Sequence, residues 1–126
     1  ALGLLEGEAT VTGSGSRWDN SNYLTVGEYR DATLNVTDGG VVTSLYGFIG
    51  YSSYPALSGS EVTVTGAGSQ LNNSGPLYVG RYGLGTLNVE SGGVVANALG
   101  YIGYYADSTP SLTDSTSHTR HSALQR

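Results

Sequence analysis

One internal match constrains this chain more than any single residue. Offset by 53 residues and without a gap, residues 8–51 align with 61–104 at 25 identities in 44 positions. Five ordered blocks carry the match: T-V-T-G-x-G-S (10–16 and 63–69), L-x-V-G (24–27 and 77–80), T-L-N-V (33–36 and 86–89), G-G-V-V (39–42 and 92–95) and G-[FY]-I-G-Y (47–51 and 100–104). A second offset, of 23, lies inside the unit and lays Thr10 on Thr33, Val11 on Leu34, Val26 on Ile49 and Gly27 on Gly50. The unit is therefore two half-repeats. Four half-repeats begin near Thr10, Thr33, Thr63 and Thr86, with an inserted loop at 52–60.

Within a half-repeat, apolar residues alternate in short runs such as Val62/Val64, Leu77/Val79 and Leu87/Val89. Period two over three to five residues, bounded by Gly, Ser and Asn, is the pattern of strands. No window has helical periodicity, and each of the 20 glycines would cost a helix interior about 1 kcal/mol relative to Ala. Short strands in tandem predict an all-β parallel solenoid of about four coils, built from two 53-residue repeats, because one coil cannot bury its own apolar row whereas stacked coils can. Gly39-Gly40 and Gly92-Gly93 are expected at sharp corners, with Asn20-Ser21 and Asn73-Ser74 at others. At about 4.8 Å per coil the body would be only about 19 Å tall. A β-sandwich or barrel also uses short strands and Gly-rich turns, but tandem identity favours the solenoid. Two units are too few to close a propeller.

Composition narrows the class. The chain has no Cys, hence no disulfide framework or thiolate metal site. It has no Met and no basic, apolar leader, as expected of a mature product or an excised piece. No apolar run approaches the roughly 20 residues of a membrane span. Five arginines against ten acids give a net charge of −5, which disfavours nucleic acid and anionic membrane as partners.

The succession of blocks at 62–80, 85–95 and 100–104 resembles the autotransporter-associated, or T5SS/PEP-CTERM-associated, repeat, over residues 8 to about 107. The resemblance implies a right-handed parallel β-helix passenger, an extracellular or bacterial cell-surface location, and use in adhesion or surface display. It supplies no catalytic motif and no cofactor. The first unit diverges more, with Trp18-Asp19 where the second has Leu71-Asn72, and Arg30-Asp31-Ala32 where it has Gly83-Leu84-Gly85.

Candidate functional residues follow from how the repeat is kept or broken. Glu28, Arg30, Asp31 and Asp38 cluster in the first unit and are replaced in the second; such a break is where a solenoid enzyme would gather its carboxylates, although solvated corner charges explain it as well. Tyr29/Tyr82 and Tyr51/Tyr104 are equivalent pairs. Stacked coils would align them into an aromatic ladder, able either to bind sugar faces or a partner, or to stiffen the sheet. Thr10-Val11-Thr12 and Thr63-Val64-Thr65 are T-x-T rows, interrupted by Thr33-Leu34-Asn35 and Thr86-Leu87-Asn88, which is half of a regular ice-binding array. Glycine-rich calcium nonapeptides are absent, since both Gly-Gly pairs are followed by Val-Val. His118 and His121 stand three apart in a polar stretch without a third ligand.

The expected organisation is an N-terminal cap or edge segment at 1–7, repeat 1 at 8–60, repeat 2 at 61–107 and a polar tail at 108–126. The expected function is structural: a non-enzymatic surface solenoid, whose partner is a larger surface protein or itself, stacking end to end into a fibre. The alternative is an adhesin-type module presenting its tyrosine face to glycans or host surfaces.

Overall fold

Each half-repeat folds into three short strands, one for each apolar run. The computed structural model describes residues 7–28, 30–51, 59–81 and 84–103 with their side chains, and the backbone of the strands at 109–113, 116–118 and 121–124. The first coil is β1 (Gly7–Thr12), β2 (Arg17–Asp19) and β3 (Tyr23–Val26); the second is β4 (Ala32–Thr37), β5 (Val41–Ser44) and β6 (Tyr46–Ile49). The third is β7 (Ser60–Thr65), β8 (Gln70–Asn73) and β9 (Pro76–Val79); the fourth is β10 (Gly85–Glu90), β11 (Val94–Ala96) and β12 (Leu99–Ile102). Three more strands, β13 (Thr109–Thr113), β14 (Thr116–His118) and β15 (His121–Leu124), come from the segment after the repeats.

These strands form three five-stranded sheets, in the orders β1-β4-β7-β10-β13, β2-β5-β8-β11-β14 and β3-β6-β9-β12-β15. Every pairing is parallel and joins one coil to the next. The fold is a β-solenoid, and no helix occurs among the described residues. The four coils read from the repeat are present, and β13 to β15 add a fifth strand to each sheet. Parallel pairing also separates this architecture from the sandwich and the barrel, which are built from antiparallel hairpins and Greek keys.

Side chains that alternate along a strand line up in columns across the coils. Inside run Leu34, Val62 and Leu87, then Val36, Val64 and Val89, then Val42, Leu71 and Val95, and then Val26, Ile49 and Val79, all buried. Ala9, Val11, Trp18 and Ile102 pack against this core at its ends while staying partly exposed. Each fully buried Val, Leu or Ile contributes about 1.5–3 kcal/mol, so the interior holds the coils together. The column through β3, β6, β9 and β12 is different: it reads Leu24, Gly47, Leu77, Gly100. A Cβ on Gly47 would lie 2.8 Å from Leu77 Cδ1. Large and bare positions thus alternate, which explains why the repeating unit is two coils rather than one.

The uniform offset of 23 needs correction. In the third sheet Val26 does pair with Ile49, but in the second Trp18 pairs with Val42, and in the first Thr10 pairs with Asn35 and Val11 with Val36. The offset is 25, 24 and 23 residues in turn. The corners cause the drift: G-S-G-S takes four residues between β1 and β2, whereas D-G-G takes three between β4 and β5, and a further residue is lost between β5 and β6. In the first sheet the error is two residues, so no side chain changes face.

At the D-G-G corner the two glycines have separate roles. Asp38 and Gly39 both have positive φ (51° and 91°), which Gly adopts without steric cost. Gly40 has ordinary φ, but a Cβ there would lie 2.3 Å from the Val11 carbonyl oxygen of the coil before. One glycine turns the chain and the next lets the coils touch. Asn20 and Asn73 act at their corners through side-chain bonds instead: Asn20 Nδ2 donates to the Thr43 carbonyl at 3.1 Å, and the Ser44 hydroxyl donates to Asn73 Oδ1.

Candidate functional site

The outward face of the third sheet carries most of the aromatic side chains among the described residues. Register places Tyr23 beside Tyr46, and Phe48 between Thr25 and Tyr78, with Tyr101 following Tyr78. Because parallel pairing sets neighbouring coils one strand spacing apart, rings at one register position meet face to face. Phe48 and Tyr78 stack with centroids 5.1 Å apart and planes 7° apart, and Tyr78 and Tyr101 at 4.7 Å and 10°. Tyr51 meets the edge of Phe48 at 5.1 Å. Tyr23 leans against both Tyr46 (5.5 Å, 32°) and Phe48 (5.9 Å, 52°).

A third column stands beside the rings, at the corner that leaves the sheet. It begins after the V-G and I-G steps and contains Glu28, Tyr51 and Arg81; the Tyr51 amide donates to the Gly27 carbonyl and the Arg81 amide to the Gly50 carbonyl. The Arg81 guanidinium carbon lies 4.8 Å from the Tyr78 ring centre, 5.6 Å from Phe48 and 5.9 Å from Tyr51. Attraction to ring faces at this range is worth about 0.5–2 kcal/mol. Between the columns lies a groove of about 450 Å³, lined by Tyr23, Thr25, Glu28, Tyr46, Phe48, Tyr51, Tyr78 and Arg81. Aromatic walls with one acid and one base at the rim suit an uncharged, partly apolar ligand.

Of the tyrosines singled out by sequence, Tyr51 belongs to this cluster, while Tyr29, Tyr82 and Tyr104 lie outside the described residues. The stacked column, Phe48, Tyr78 and Tyr101, was not among them. Its signal was the variable position of L-x-V-G and G-[FY]-I-G, one residue before the buried Val or Ile; parity alone turns that position outward.

The acids of the first unit are distributed over two corners. Asp38 sits between the first and second sheets, where its carboxylate accepts the Thr12 hydroxyl at 3.2 Å. Asp31 lies between the third sheet and the first, and accepts the Gly59 amide at 3.1 Å. Glu28 alone of the three lines the groove. Neither bond leaves the acids sharing a site, as a carboxylate pair would require. On the second sheet, Arg17 and Asp19 form an exposed ion pair at 2.9 Å, and hydrogen bonds from Arg17 and then Thr43 hold the Asp19 carboxyl below the usual carboxylate range. No group of three potential metal ligands occurs among the described residues. His118 and His121 fall on β14 and β15, in different sheets.

The adhesin BmaC autotransporter of Brucella suis is 37% identical to this chain over 97 residues, which are 75% of the chain and 3% of that protein's length. The chain is a β-solenoid related to an autotransporter adhesin. With that kinship goes an extracellular or bacterial cell-surface location. The chain spans only a small part of its relative's length. No family model and no solved structure matches it.

Proposed function

We propose that this solenoid is a non-enzymatic, adhesin-type element of a bacterial surface, and that its contact surface is the aromatic face of the third sheet. One observation carries the reading. Outward positions on that sheet differ between the two units: Tyr23 against Pro76, Thr25 against Tyr78, Glu28 against Arg81, Tyr46 against Leu99. The buried positions Leu24, Val26, Leu34, Val36, Val42 and Ile49 meanwhile keep their residues in the second unit. Steric needs of stacking preserve the buried positions and leave the outward face of the third sheet free to vary, and there it gathers aromatic rings around a groove. The related adhesin supports the same reading.

The test is retention of the purified chain on cultured epithelial cells, against a variant carrying Tyr23→Ser, Tyr46→Ser and Tyr51→Ser. Weak retention of the variant with an unchanged far-ultraviolet β signal is expected. Equal retention would remove the aromatic face from the reading.

End-to-end stacking of copies into a fibre is the second reading. It is supported by the pairing itself, since the parallel main-chain bonds that join each coil to the next are of the kind that would join one copy to another. Light scattering with electron micrographs decides it: regular filaments support stacking, and a concentration-independent monomer sinks it.

A further inference from the structure

We infer that the groove on the third sheet is a subsite for one uncharged pyranose ring of a glycan, seated where Thr25 interrupts the aromatic column. The inference rests on the adhesin-type reading above and gives that surface a ligand class.

The column itself shapes the site. Tyr101, Tyr78 and Phe48 occupy consecutive coils at one register position, with centroids 4.7 and 5.1 Å apart. The next step of the column is Thr25, which has no ring. The second unit has Tyr78 at the equivalent place, so the fold accepts an aromatic residue there and the first unit lacks one. Thr25 and Phe48 line the groove with Tyr23, Tyr46, Tyr51, Glu28 and Arg81, and both are themselves buried, with Tyr23 against the Phe48 ring. Tyr23 leans over Phe48 at 52° rather than stacking on it, and 45% of its surface is exposed. A ring entering the slot therefore displaces a tilted contact and gains a parallel one.

A pyranose has the matching chemistry. Its C–H face packs on an aromatic face much as another ring does, and its edge carries hydroxyls that both donate and accept. The Glu28 carboxylate accepts such a hydroxyl and the Arg81 guanidinium donates to one. Arg81 already lies against the rings, so little freedom is lost when it binds. The lining holds one carboxylate and one guanidinium and is formally neutral, on a chain of net charge −5. Acidic sugars gain nothing from that balance.

The experiment is calorimetric titration of the full chain with neutral sugars (lactose, N-acetyllactosamine, maltotriose, chitotriose) and with sialyllactose as the anionic counterpart. Saturable binding of at least one neutral sugar is expected, with sialyllactose no tighter than lactose. Thr25→Phe should abolish binding while keeping the β signal and the thermal midpoint, since it completes the column. Glu28→Gln and Arg81→Gln should each weaken binding by about ten-fold, the worth of a hydrogen bond to a charged group. Absence of binding to every neutral sugar overturns the inference, as does undiminished binding by folded Thr25→Phe. A preference for sialyllactose that Arg81→Gln removes overturns it too. Should Thr25→Phe fail to fold, Glu28→Gln decides: undiminished affinity overturns the subsite. Retention on cells whose surface sugars have been oxidised by periodate would overturn this inference and leave the adhesin-type reading standing. Sugar binding in solution with no retention on any cell would do the reverse.

Discussion

The outward faces of the first and third sheets stand on the same coils and obey different rules. On the first sheet the columns read Glu8-Thr33-Glu61-Thr86 and Thr10-Asn35-Thr63-Asn88, an alternation kept through both units. Its bonds are ones that stacking supplies. Asn88 Nδ2 donates to Glu61 at 3.0 Å and to Thr63 at 3.3 Å, Asn35 approaches Glu8 at 3.5 Å, and the Thr37 hydroxyl donates to that of Thr12 at 2.8 Å. Alternation also keeps like charges apart: acids on every coil would stand about 4.8 Å from one another, and on every second coil they stand about twice as far. The third sheet has no such alternation on its outer side. On the first sheet the kept residues bond coil to coil, whereas on the third the outward residues differ from unit to unit and line a groove.

The largest effect is expected where both faces depend on one position. Gly50 has φ of +77°, and a Cβ there would lie 2.0 Å from the Leu84 carbonyl oxygen. Gly50→Ala should cost at least about 3 kcal/mol and lower the denaturant midpoint enough to abolish retention as well. Fully buried Leu34 belongs to the same class, and Leu34→Ala should cost about 2–5 kcal/mol. Next comes Tyr78→Ala, which removes two stacked contacts and the ring under Arg81: about 2–4 kcal/mol, with binding lost beyond what the stability change explains. Asn88→Ala on the first sheet should cost only about 1 kcal/mol and leave retention unchanged; a binding defect there would erase the distinction between the faces. The smallest effect belongs to Asp19. Its carboxyl is held below the usual range by Arg17 and Thr43, so its contribution is present above the ordinary carboxylate pKa and is lost as pH falls through the lowered value. Both partners are solvent-exposed, and Asp19→Asn should shift acid unfolding barely, if at all, in a circular-dichroism titration.

Much of this was legible because stacking writes itself into sequence. The 53-residue offset, the alternating Val/Leu runs and the paired glycines gave strands, corners and parallel coils, since each answers to a local steric need. Register was less legible: the offset of 23 holds for Val26 and Ile49 but not for Thr10, because corner lengths are invisible until the coils superpose. The aromatic column is hidden for a related reason. Tyr29 and Tyr51 stand out in the sequence because their equivalents in the second unit are also Tyr, whereas Phe48, Tyr78 and Tyr101 fall in one column only when the half-repeats, not the units, are laid over one another. Departures from a repeat leave no periodic mark in the sequence, and only the coil register brings them together.

The alternation of Leu24, Gly47, Leu77 and Gly100 sets a rule for how such arrays change length. Excising one coil by recombination between half-repeats would bring two leucines together over one space, or leave two glycines facing a void. Excising two coils restores the pattern. Arrays of this kind therefore grow and shrink in even steps, and a length variant with an odd number of coils should carry its defect at the junction, with the remaining coils intact.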